Sequence, residues 1–100
     1  MKKNIPTATH RAHVFYSGRV QGIGFRYETE SIAQRLGLTG WVKNLTDGRV
    51  ELVCEGAKEK IETLLSEIRE GFLGRHIKNA ECVWETPTQV YEDFRVEFCY

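Results

Sequence analysis

Three glycines within seven positions, Gly18, Gly22 and Gly24, separate a run that alternates like a strand from a run that repeats like a helix. The upstream run, Ala12-His13-Val14-Phe15-Tyr16, sets Val14 and Tyr16 against His13 and Phe15 with period two. Downstream, Phe25, Ile32, Ala33 and Leu36 fall on one helical face. So abrupt a change from strand to helix needs a tight backbone turn, and glycine makes one at little steric cost. The stretch Ser17-Gly18-Arg19-Val20-Gln21-Gly22-Ile23-Gly24-Phe25-Arg26 is therefore expected to aim backbone N–H groups inward. It opens onto a helix N-terminus, which adds unpaired N–H groups and a partial positive charge. With the Arg26 guanidinium beside them, these groups make a cradle for a doubly charged oxyanion, best matched by phosphate.

The cradle departs from the common phosphate loops. The mononucleotide pattern requires Gly-Lys-Ser/Thr after its spacer, but position 23 is Ile23 and no lysine follows. The dinucleotide pattern would place glycine where the chain has Tyr27. A phosphocysteine mechanism would need a cysteine at Val20, and the loop holds no aspartate nucleophile. What remains is an anion site with an arginine and no covalent nucleophile.

Beyond the loop, the pattern predicts residues 1–11 as a flexible lead-in and 12–100 as a single domain. Strands are expected over 12–17, 40–45, 49–55, 79–85 and 94–98, and helices over 25–36 and 57–70. Gly37 and Gly71 are natural helix stops. Asp47-Gly48 signals a hairpin between the second and third strands. Val50, Leu52 and Cys54 share one face of the third strand, opposite Arg49, Glu51 and Glu55. The second helix carries the stripe Ala57, Ile61, Leu64, Leu65 and Ile68, and the fourth strand sets Ala80, Cys82 and Trp84 on one face. The order βαββαβ, with one further short strand near the end, implies an α+β, ferredoxin-like two-layer sandwich. Two helices would cover one face of an antiparallel sheet.

Charge narrows the function. Fourteen basic and fourteen acidic residues give a formal net charge of zero. No excess of basic groups is present to neutralise nucleic-acid phosphates or a membrane surface. The start of the chain lacks the apolar run of a signal peptide, and no stretch approaches the ~20 apolar residues of a membrane span. Cys54, Cys82 and Cys99 form neither a disulfide framework nor a metal-type pair. They read as part-buried reduced thiols, and the chain as cytoplasmic and monomeric. His10, His13 and His76 are scattered and are not expected to bind a metal. Trp41 and Trp84 read as packing residues, and Lys43 as a source of positive potential near the site.

Two blocks together, Gly18-Arg19-Val20-Gln21-Gly22-Ile23-Gly24-Phe25-Arg26 and Gly40-Trp41-Val42-Lys43-Asn44-Leu45 with Asp47-Gly48, resemble the acylphosphatase family. Both stand in the family's order and spacing, and Phe94-Arg95-Val96 is similar to its final strand. The resemblance covers roughly residues 12–100. It implies hydrolysis of the carboxyl–phosphate bond of small acyl phosphates without metal or cofactor. It also implies Arg26 and Asn44 as catalytic residues. Phosphate would bind at the backbone of Arg19, Val20, Gln21, Gly22, Ile23 and Gly24 together with Arg26. Inorganic phosphate or sulfate would then compete. Ile23 stands where valine is commoner. The segment Gly71–His76 is less typical of the family and lies far from the site residues in sequence.

The residue chemistry agrees with this implication. An acyl phosphate is a mixed anhydride whose carboxylate leaves without strong acid. Positioning and charge neutralisation are then the main tasks. A guanidinium binds two phosphate oxygens as a fork. An asparagine amide can orient water but cannot act as a base at neutral pH. The water's proton is then expected to pass to a substrate phosphate oxygen.

Three other readings compete. The cradle could serve as one part of a relay, as in a hydrogenase maturation protein that handles carbamoyl phosphate, but the expectation of a single domain favours a free enzyme. An RNA-recognition motif shares the element order yet stacks bases on third-strand aromatics. Here that strand reads Arg49-Val50-Glu51-Leu52-Val53-Cys54-Glu55, without one. A small-ligand regulatory domain would be expected to oligomerise, which nothing in the sequence requires.

Overall fold

Alternation and helical stripes become two layers in the computed structural model, which describes residues 7–98. The elements are β1 (His10–Gly18), α1 (Phe25–Arg35), β2 (Thr39–Asn44), β3 (Val50–Gly56), α2 (Lys58–Glu70), a short 3-10 helix (Phe72–His76), β4 (Ile77–Glu85) and β5 (Phe94–Glu97). The sheet order is β4-β1-β3-β2-β5. Ala12, Val14 and Tyr16 of β1 join Val50, Leu52 and Cys54 of β3 in the core, beneath Phe25, Ile32 and Ala33 of α1 and Ile61, Leu64 and Ile68 of α2. Helix α1 ends in a Schellman pair, Leu38 N–H to Ala33 O (2.9 Å) and Gly37 N–H to Gln34 O (3.1 Å).

The expected architecture is present, with four differences. First, the sheet is mixed. β5 runs parallel to β2, because residues 86–93 carry the chain from β4 at one edge to the far edge. Second, β1 begins at His10, so the last part of the expected lead-in belongs to the sheet. Ala8 is also held, its N–H donating to Gln89 Oε1 (3.0 Å) and its carbonyl accepting from Gln89 Nε2 (2.9 Å). Residues 1–6 of that lead-in lie outside the described residues. Third, Ala57 is exposed and stands at the N-cap of α2 rather than in its buried stripe. Fourth, Ala80, Cys82 and Trp84 share a face as predicted but stay exposed, since β4 is an edge strand. Trp84 is 43% exposed and packs at the surface, its ring edge-on to His10 (6.0 Å) and under the Lys58 ammonium (5.9 Å).

The cysteines divide. Cys54 is buried, and burial pushes its thiol up to about 12. Cys82 is exposed, and Cys99 lies outside the described residues. Among the described residues, no helix is long and apolar enough to cross a membrane.

Candidate active site

The loop between β1 and α1 is pinned by its side chains while its backbone stays open. Val20 is fully buried and Ile23 packs against the core. Gln21 donates to two carbonyls of the β2–β3 hairpin, Leu45 O (2.8 Å) and Arg49 O (2.9 Å). This fork fixes the loop against the strand end that carries Asn44. At its base, Gly18 adopts φ +126° against β4, where a Cβ would lie 2.5 Å from His76 O and 2.6 Å from Lys78 N. The Gly71–His76 segment, distant in sequence, therefore buttresses the loop.

Gly22 (φ +80°) and Gly24 (φ +85°) adopt left-handed conformations with open space around them. Their requirement is conformational rather than steric. Gly24 is the N-cap of α1, which has no side-chain cap. Among the described residues, the backbone N–H groups from Val20 to Tyr27 donate to no protein acceptor, and the first helical bond of α1 runs from Glu28 N–H to Gly24 O (3.0 Å). Arg19 differs from the expectation. Its N–H donates to His76 O (3.0 Å) and is already taken.

Arg26 and Asn44, 18 positions apart in sequence, meet at one cavity of about 210 Å³. Val20, Gly22, Gly24, Phe25 and Tyr27 complete its lining. The Arg26 guanidinium lies 5.9 Å over the Tyr27 ring and 5.2 Å over the Phe98 ring. It makes no ion pair among the described residues. Asn44 ends β2, just before the hairpin closed by Leu45 N–H to Arg49 O (2.8 Å). Its Oδ1 is buried and has no hydrogen-bond partner.

Lys43 is engaged elsewhere, its Nζ 4.9 Å over the Trp41 ring and 3.9 Å from Glu51 Oε1. Trp41 donates through Nε1 to the Tyr91 hydroxyl (3.2 Å). His13 spans Glu51 Oε2 (2.6 Å) and Glu85 Oε2 (3.0 Å). Among the described residues, no group of three or more His, Cys, Asp or Glu side chains is placed to hold a metal ion.

The structure brings Arg26, Asn44 and the loop together at one cavity, along with two side chains that the sequence does not mark. Gln21 was expected to contribute its backbone, and no single-sequence signal marks its amide as the clamp between loop and hairpin. Phe98 read only as the last apolar position of a strand, whereas it caps the guanidinium of Arg26.

Comparison with known proteins places the same segments in one family. The acylphosphatase family profile matches residues 12–96. An acylphosphatase of Trichormus variabilis is 48% identical over 77 residues, 77% of this chain and 76% of that protein. The crystal structure of acylphosphatase from Bacillus subtilis superposes with a TM-score of 0.82 at 28% identity, covering 89% of this chain and 99% of that one. An acylphosphatase structure from Coxiella burnetii gives a TM-score of 0.75 at 41% identity, covering 89% and 94%.

Proposed function

The chain belongs to the acylphosphatase family, hydrolases of acid anhydrides, and on that premise we propose that Arg26, Asn44 and the loop backbone perform metal-independent cleavage of small acyl phosphates. The observation that carries the reading is the orphaned Asn44 Oδ1, buried at a cavity that Arg26 also lines. An unpaired buried acceptor costs roughly 1–3 kcal/mol, and such costs concentrate where a reaction uses them.

The phosphoryl oxygens lie against the N–H groups of Val20, Gln21, Gly22, Ile23 and Gly24. The Arg26 guanidinium takes two of them as a fork. Arg19 contributes no N–H, in keeping with its bond to His76 O. Asn44 Oδ1 accepts a hydrogen bond from water and orients it in line with the bond to be broken. The water oxygen forms a bond to phosphorus as the bond between phosphorus and the acyl oxygen breaks. The electron pair leaves with the carboxylate, which is stable without protonation. The water's proton passes to a phosphate oxygen, so no protein base is required. The products are a carboxylate and inorganic phosphate.

Phosphate or sulfate occupies the same cradle and inhibits competitively. The protein works as a cytoplasmic monomer on a small soluble substrate, and its zero net charge leaves no excess of basic groups for a nucleic acid or a membrane surface.

The test is hydrolysis of benzoyl phosphate in excess chelator by the wild type, Arg26→Ala and Asn44→Ala. Chelator-resistant turnover that both substitutions abolish, with circular dichroism unchanged, is the expected result. A folded wild type without turnover would overturn the reading in favour of a phosphate-binding module.

A further inference from the structure

A second, shallower cavity of about 400 Å³ lies beside the cradle, lined by Trp41, Lys43, Glu97 and Phe98. The two cavities meet at Phe98, just past the end of β5. Phe98 lines the shallow one and faces the Arg26 guanidinium, which lines the other. We propose that this second cavity receives the acyl part of the substrate and favours a flat apolar acyl group over one that carries its own carboxylate. The proposal rests on the cradle holding the phosphoryl group.

The chemistry of the substrate supports the direction. The acyl carbon is only two bonds from phosphorus, so the acyl group starts at the cradle's rim, where Arg26 and Phe98 stand. Two of the four lining residues are aromatic, and Phe98 is 54% exposed. Aromatic faces of this kind recognise flat apolar groups by stacking and edge contacts.

Charge sets the discrimination. The Lys43 ammonium is shared between the Trp41 ring and Glu51. Glu97 stands opposite Lys43 in the β2–β5 ladder and makes no ion pair among the described residues. A substrate carboxylate entering this cavity would meet the Glu97 carboxylate, a repulsive element of the kind that gives specificity.

The experiment compares kcat/KM for benzoyl, acetyl and succinyl phosphate in the wild type, Phe98→Ala and Glu97→Gln, each checked for fold by circular dichroism. Phe98→Ala is expected to lower the benzoyl-to-acetyl ratio about two- to tenfold, with the change carried by KM for benzoyl phosphate. Glu97→Gln is expected to raise the succinyl-to-acetyl ratio severalfold. Equal losses on benzoyl and acetyl phosphate would mean that Phe98 only braces Arg26, and would overturn the subsite. An unmoved succinyl-to-acetyl ratio would overturn the charge discrimination. Wild type that hydrolyses none of the three would overturn the cradle reading and this proposal together. Wild-type turnover with both ratios unmoved by the substitutions would overturn the subsite alone.

Discussion

Asn44 and Gln21 carry the same amide and use it in opposite ways. Gln21 spends both donor hydrogens on hairpin carbonyls, whereas Asn44 leaves a buried oxygen unpaired. The first arrangement stabilises the fold, and the second opposes it. Asn44→Ala should therefore separate activity from stability. Turnover of benzoyl phosphate is expected to fall roughly 10²–10³-fold. The unfolding free energy from urea denaturation is expected to stay level or rise by up to about 1 kcal/mol. A loss of stability in step with activity would make Asn44 a structural brace. Gln21→Ala should behave differently, lowering stability by about 1–2 kcal/mol and activity with it, because the loop loses its tie to the strand that bears Asn44. The two amides were not equally legible. Asn44 stood in a recognisable block with Asp47-Gly48 after it. The partners of Gln21 are backbone atoms 24 and 28 positions away, which no local pattern reveals.

At the scale of elements, the loop holds two kinds of glycine, and they should respond differently to a methyl group. Gly24 needs only its left-handed conformation, since a Cβ there meets nothing within 4 Å. Gly24→Ala should cost about 1–2 kcal/mol in urea denaturation and leave the fold intact. At Gly18 the same methyl would lie 2.5 Å from a backbone oxygen as well as requiring φ +126°. Gly18→Ala should therefore destabilise by clearly more than Gly24→Ala and loosen the contact between loop and 3-10 helix. Equal costs at both sites would sink this distinction. The same contrast explains which elements could be read in advance. The β2–β3 hairpin and the end of α1 are encoded by neighbouring residues, Asp47-Gly48 and Gly37, so they were visible. The exposure of β4 and the parallel course of β5 depend on which strands sit at the sheet edges. That is decided by the crossing of residues 86–93, far from any local signal.

For the molecule as a whole, that crossing is secured by one buried carboxylate. Glu55 is 1% exposed. It accepts from Thr88 N (2.8 Å), Thr88 Oγ1 (2.9 Å), Gln89 N (2.9 Å) and Arg11 Nη1 (3.0 Å). Its partners come from the start of β1 and from the connection to β5, so one side chain ties both to β3. Gln89, one of those partners, is a non-glycine residue with φ +63°, a conformation held by its surroundings. Burial alone would push the Glu55 carboxyl up, but the Thr88 and Gln89 N–H groups and Arg11 outweigh it and hold it below the usual range. Hydrogen bonds from His13 and then Arg11 lower Glu85 in the same way. A carboxylate whose pKa is depressed on folding stabilises the protein above its unfolded value, near 4.5, and loses that contribution as pH falls through the folded value. The urea midpoint should therefore hold from pH 7 to about 5 and fall steeply below the unfolded carboxylate range. Glu55→Gln keeps the shape but removes the charge. It should cost about 2–4 kcal/mol at pH 7 and flatten the acid limb of that curve. If the variant retained the full acid dependence, other carboxylates would be responsible for it. If it retained full stability at pH 7, Glu55 would not be what holds the start of β1 and the connection to β5 to the sheet.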